Sequence, residues 1–407
     1  MLLALMAASI VAAATTPSRT TVPLALVLAV PDLAQRHDPW PELMAAALAF
    51  MLWASIIWSE SPALSERVFM DQAIVAAMFM AFRIALTNRR AVLLIGSGYL
   101  VGCVFLLRDL LTQNAAATLS LRVSTSTRYS LEGVNQNYIA FTFAGGITVA
   151  LLLAYATPKW WWLFVGAGVL CWTGIALNDT RAAIIAAALT TAWAIGTRLF
   201  RRFARTALRV LVGAVLAVAF AIFTGLADHQ LQSAFAGSSA RETGSLNGRL
   251  DFWPIAREVF SDHPWLGIGA GSVTRYLPGG IFSHNVFLDV GTSAGLVGVA
   301  VFLGAMYVTL FRATRDLASP RRDVLLGLAV CAIAAPLLSG YWYQTAPFWM
   351  LLALFSRIGV LEPRSDGDEA LAAVPALAGR EPVAGRASAT ATGPVAAIAA
   401  SPGRSRR

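Results

Sequence analysis

An all-α, polytopic membrane fold is predicted by three observations on this 407-residue chain. Hydrophobic residues make up 57% of it and charged residues only 13%, where a soluble domain carries about a quarter charged. Mean hydropathy is +0.65. The apolar residues also come in blocks, many approaching the ~20 residues that a helix needs to cross a bilayer, with short charged pieces between them.

The opening "MLLALMAASIVAAATTPSRT" has the small residues of a cleavage site but no basic n-region, and many apolar blocks follow. It therefore reads as an uncleaved first span. About twelve spans are predicted, at 2–16, 21–33, 42–58, 67–87, 91–112, 137–156, 160–177, 181–199, 208–226, 285–311, 323–339 and 345–361. The basic connections are "NRR" at 88–90, Lys159, "RLFRRFARTALR" at 198–209 and "FRATRDLASPRR". They fall on alternate turns of the chain, so one side satisfies all of them. The positive-inside rule makes that side cytoplasmic, together with both termini.

The opposite, non-cytoplasmic side receives 113–136, 178–180, 340–344 and a large loop at 227–284, between the ninth and tenth spans. Within that loop, "NGRLDFWPIAREVFSDHPWLGIGAGS" predicts a short amphipathic helix followed by a Gly-rich turn. Leu250, Trp253, Ile255, Ala256 and Phe260 share its apolar face, Pro254 is expected in its first turn, and Trp253 and Trp265 are expected to anchor at the membrane interface. Residues 1–362 thus form the transmembrane domain. From 363 onward Ala, Pro, Gly and Arg without aromatics build no core, and the segment 363–407 is expected to be a disordered cytoplasmic tail.

The net charge of +9 does not point to nucleic acid, because Lys159 is the one lysine among 31 basic residues and the bias is compositional. Cys103, Cys171 and Cys331 all lie inside apolar blocks, with neither metal spacing nor a disulfide framework, and are expected to pack. No His-x-x-x-His, CxxC or paired-Asp motif is present, so no metal or cofactor is expected.

Arginines on the non-cytoplasmic side run against the charge bias. Arg108 lies beside Asp109 inside the fifth span, and either pairs with it or serves a substrate. Arg257, Arg275 and Arg241 lie on the loop, either solvated or facing a polyanion. Arg181 in "LNDTRAAIIAAA" begins a helix, where the dipole disfavours a cation unless an anion is near. The eighth and tenth spans both start on this face. Their free N–H groups would bind phosphate, and the guanidinium fork suits it. Arg181, Arg249 and His284 could therefore converge on a polyanion. At a helix start the His284 imidazole would be kept neutral and able to accept a proton. The plainer alternative for "FSHNVFLDVG" is a capped helix start with interface packing. Asn135 and Asn137 at the start of the sixth span divide in the same way between capping and sugar contact.

The combined pattern resembles the O-antigen ligase and polymerase family. Arg249, Trp253, the turn Pro264–Gly267–Gly269, the pair His284–Asn285 and the helix opening Gly295–Gly298 match its motif. Arg181 stands for the arginine of its Ser-Arg-Gly segment, with Thr180 and Ala182 replacing Ser and Gly. The resemblance is strong over about 175–310. It implies a GT-C-like helical glycosyltransferase, metal-independent, that takes a glycan from undecaprenyl diphosphate at a periplasmic site. Arg181 and Arg249 would engage the diphosphate and His284 the acceptor hydroxyl of lipid A-core or a growing glycan. Asn285, Asn137, Arg257, Arg275 and Arg108 are further candidates for substrate contact. Ser293 departs from the pattern, which has Glu there, and Asp289 is the expected substitute for positioning the His-bearing span. Transfer to protein Ser/Thr and a solute transporter are the rival readings, and no internal repeat supports the transporter.

Overall fold

The computed structural model describes residues 1–13, 38–119, 131, 134–226, 228, 249–312, 314–315, 317, 319–337 and 345–361. The predicted span at 21–33, Arg241 and the tail at 363–407 lie outside them. The chain is an all-α polytopic membrane protein. Its helices are α1 (Leu2–Ala13), α2 (Trp40–Ala54), α3 (Pro62–Ala85), α4 (Arg89–Leu119), α5 (Gln136–Ala156) and α6 (Trp161–Asn178). These are followed by α7 (Arg181–Leu199), α8 (Ala204–Thr224), α9 (Arg249–Asp262), α10 (Val286–Tyr307), α11 (Ser319–Leu337) and α12 (Ala346–Ser356). Among the described residues, 8 helices are long and apolar enough to cross a membrane: α2 with its continuation to Trp58, α3 to α8, and α10 with its continuation to Arg312. Helices α1 and α12 are apolar but shorter.

Small residues set the closest helix contacts, as expected where lipid supplies no hydrophobic drive for helices to associate. Gly146 of α5 faces the sulfurs of both Cys103 (α4) and Cys171 (α6), and Gly174 of α6 packs on Phe143 of α5. Falling numbers on one helix thus meet rising numbers on the other, so α5 runs antiparallel to α4 and α6. Arg89 Nη2 donates to the Ala156 carbonyl at 2.5 Å and fixes the same sense at the far end of α4 and α5.

One face of the bundle gathers the basic ends. Arg83 is buried at the end of α3 and paired with Glu42 of α2, and Arg357 Nε donates to the Arg83 carbonyl at 3.1 Å. Arg312, at the end of the α10 continuation, pairs with Asp38 at 2.7 Å and lies over the Trp40 ring. Arg205 in the first turn of α8 reaches Asp323 in α11 at 3.4 Å. Trp193 near the end of α7 donates to the Val324 carbonyl at 2.8 Å. The starts of α3, α5, α7 and α10 and the ends of α2, α6 and α8 therefore share the opposite face.

Candidate functional site

That opposite face is built on the segment 249–285. Helix α9 buries Phe252, Trp253, Ala256 and Val259, spaced to form one stripe. They pack with Ile222 of α8, Leu288 of α10 and the loop residues Ile268, Val273 and Leu277. Pro254 lies inside the helix rather than in its first turn. It is exposed, so its ring does not crowd the packed stripe. Trp253 is not an interface anchor: it is buried, and its indole N–H donates to the Ser283 carbonyl at 3.0 Å. Trp265, by contrast, is 69% exposed.

The Gly-rich turn then interleaves with a break in α10. Gly295 has φ 64° and ψ −161°, outside helical values, which releases carbonyls upstream of it. The turn supplies their donors: Ile268 N–H to the Thr292 carbonyl at 2.8 Å and Gly269 N–H to the Ser293 carbonyl at 3.1 Å. In return the Leu296 N–H donates to the Pro264 carbonyl at 2.7 Å. The Gly271 N–H approaches Ser293 Oγ at 3.4 Å, so the residue that departs from the family pattern sits under this turn.

A cluster of serines holds the turn from its other side. Ser55 Oγ accepts from the Ala270 N–H at 3.0 Å, and Ser65 Oγ donates to the Ala270 carbonyl at 2.7 Å. Ser59 Oγ lies 2.6 Å from Ser65 Oγ and 2.9 Å from Ser272 Oγ. Sequence reasoning missed these residues. Their signal was the run of serines in "SIIWSESPALS", where an apolar hairpin turn would not need them.

His284 follows directly. It has φ 57° and, with Asp179 at φ 53°, is one of two non-glycine residues with positive φ among those described. Such a conformation is uncommon and persists only where neighbours over-determine it. Here they do. The Ser283 N–H and hydroxyl both donate to Asp289 Oδ1, at 3.0 and 2.6 Å, and the Ser283 carbonyl accepts from Trp253. Asn285 is the N-cap of α10: its Oδ1 accepts from the N–H groups of Phe287 at 2.9 Å and Leu288 at 3.3 Å. The capping expected for this stretch is met in the fold, by Asn285 rather than Ser283, directly after the partly buried His284.

Arg181 is exposed as the first residue of α7, behind the buried pair Asn178 and Thr180, whose side chains are hydrogen-bonded to each other. The antiparallel register of α5 and α6 brings this corner beside the start of α5. There Asn135 is the cap, accepting from the Asn137 N–H at 2.9 Å. Arg108 comes level with the first turns of α5. Its side chain is 69% exposed and reaches Asp109 only at 4.0 Å, the outer limit of an ion pair. Arg249 begins α9 on this same face.

Two candidates are engaged by the protein itself. Arg257 pairs with Asp228 and donates through Nη1 to the Ile222 carbonyl at 2.8 Å, tying α9 to the end of α8. Arg275 Nη1 donates to the Glu60 carbonyl at 2.6 Å, and the neighbouring Tyr276 hydroxyl donates to Glu60 Oε2 at 2.7 Å. That bond to Glu60 holds the Tyr276 phenol above its ordinary pKa. Among the described residues no group of three or more His, Cys, Asp or Glu side chains is placed to share a metal ion.

Comparison with known families places residues 166–303 in the family model described as O-antigen ligase. The matched segment contains Arg181, Arg249 and His284. It supports the O-antigen ligase/polymerase family for this chain. Comparison with curated proteins gives no match.

Proposed function

From O-antigen ligase or polymerase-type activity, which the family indicates, we propose a specific reaction. The chain is an inner-membrane glycosyltransferase that moves a preassembled glycan from undecaprenyl diphosphate to a sugar hydroxyl of lipid A-core. The basic face is cytoplasmic and the face carrying His284 is periplasmic. The observation that carries this reading is the over-determined backbone of His284, on the same face as the helix starts bearing Arg181 and Arg249.

In the reaction the acceptor oxygen attacks the anomeric carbon of the donor. The new glycosidic C–O bond forms as the bond to the diphosphate breaks, with inversion at that carbon. His284 takes the proton of the acceptor hydroxyl, a role worth about 10²–10⁴ in rate. The diphosphate departs with its added negative charge against the guanidinium groups of Arg181 and Arg249, aided by the N-terminal dipole of α7. These fixed cations offset the charge, so the reaction proceeds without a metal. Arg257 and Arg275 hold the loop that carries the site and the buried Asn285 caps α10, whereas Arg108 and Asn137 line the approach of the glycan. Polymerisation onto a growing glycan uses the same chemistry with a different acceptor, and is the second reading within the same family.

Purified protein incubated with labelled polyprenyl-diphosphate glycan and lipid A-core tests the proposal. A ligase yields labelled lipid A-core and free polyprenyl diphosphate. Extension of the lipid-linked glycan instead identifies a polymerase, and an intact donor excludes both.

A further inference from the structure

Asp289 is 3% exposed and lies one turn into a membrane-crossing helix. Ionisable groups in such places are costly and are retained for function. Neither capping nor ion pairing accounts for it. Capping is already done by Asn285, and no ion pair reaches Asp289 among the described residues. Its contacts point one way. Oδ1 accepts both the N–H and the hydroxyl of Ser283, the residue immediately before His284. The same hydroxyl lies 3.2 Å from the Asn285 N–H, on the other side of His284. Asp289 thus holds Ser283, whose hydroxyl in turn meets the chain on the far side of a residue in a left-handed conformation. Its second oxygen, Oδ2, and the Asn285 Nδ2 are buried without a protein partner. Residues four apart share a helix face, so a donor and an acceptor stand open there, one turn apart.

We propose that Asp289 is a positioning residue for His284, acting through Ser283 to fix the direction in which the imidazole meets the acceptor hydroxyl. This rests on the transferase reading above. A misdirected base loses up to about 100-fold in turnover while leaving donor binding alone.

The test uses the full chain with three variants, Asp289→Leu, Asp289→Asn and Ser283→Ala. Turnover, KM for labelled polyprenyl-diphosphate glycan and the melting midpoint are measured for each. Asp289→Leu should lower kcat about 100-fold with KM changed less than about twofold. Asp289→Asn keeps a carbonyl acceptor of the same shape and should stay within about threefold of the parent. Ser283→Ala keeps the N–H bond but not the hydroxyl, and should fall between them. A merely structural role would lower the melting midpoint and leave kcat per folded molecule unchanged. Parent-like kcat in Asp289→Leu, or equal damage in Asn and Leu, overturns the inference. Should Asp289→Leu fail to accumulate, parent-like kcat in Ser283→Ala overturns it. Failure of the parent protein to use the donor overturns the transferase reading and this inference together. Parent transfer with an unaffected Asp289→Leu overturns this inference alone.

Discussion

The Trp265 backbone passes so close over Gly295 that a Cβ at 295 would fall on the Trp265 carbonyl group. The Gly-rich turn and the broken α10 are therefore one object, joined by backbone hydrogen bonds in both directions.

Gly295→Ala should be among the most damaging substitutions in the chain. It meets backbone rather than a side chain that can move, and its positive φ alone costs about 1–3 kcal/mol. Gly213→Ala, where an added Cβ meets nothing within 4 Å, is the control. Thermal unfolding in detergent should show a lowered midpoint for the first and little change for the second.

Trp253→Phe keeps an aromatic ring in the α9 stripe but removes the donor to Ser283. The lost bond is worth about 0.5–1.5 kcal/mol, which loosens the His284 backbone without unfolding α9. Turnover should fall by up to about tenfold, with accumulation in the membrane unchanged. A parent-like rate would mean that the indole N–H contributes nothing to the site.

Arg257 and Asp228 should behave as one unit. Arg257→Ala and Asp228→Ala each break the same tie between α9 and α8, and the double variant should be little worse than the worse single one. Additive losses in a double-mutant cycle on melting midpoint would instead mean that the two side chains are not coupled, leaving the Ile222 carbonyl as the partner that matters for Arg257.

The hold of Glu60 on Tyr276 gives a pH dependence with a defined sign. A phenol whose folded pKa is raised contributes its stability below the unfolded value of about 10, and loses it as pH rises through the folded pKa. The loop at 272–276 should therefore stay fastened through neutral and mildly basic pH and loosen only in strong base. Hydrogen exchange of the loop amides measured against pH should show this, and Tyr276→Phe should abolish the transition.

Most of the bundle was legible because hydropathy reports which residues meet lipid. It does not report where helices start and stop. α3 begins at Pro62, before the predicted 67, and α4 continues to Leu119, past the predicted 112, because polar turns remain helical beyond the apolar block. A local signal at the site also read correctly: Asn135 caps α5. What escaped was long-range. The serines at 55, 59 and 65 acquire a purpose only when the turn at 267–272 packs against them. The break at Gly295 likewise answers to the turn that packs against it.

The central claim is that His284 removes the acceptor proton while Arg181 and Arg249 carry the departing diphosphate. The most direct measurement is single-turnover transfer from labelled polyprenyl-diphosphate glycan by His284→Ala, compared with the parent protein at equal membrane abundance. The account predicts a loss of about 10²–10⁴ in rate with donor binding retained, and a comparable loss with binding weakened in Arg181→Ala and Arg249→Ala. Transfer by His284→Ala at the parent rate would contradict it.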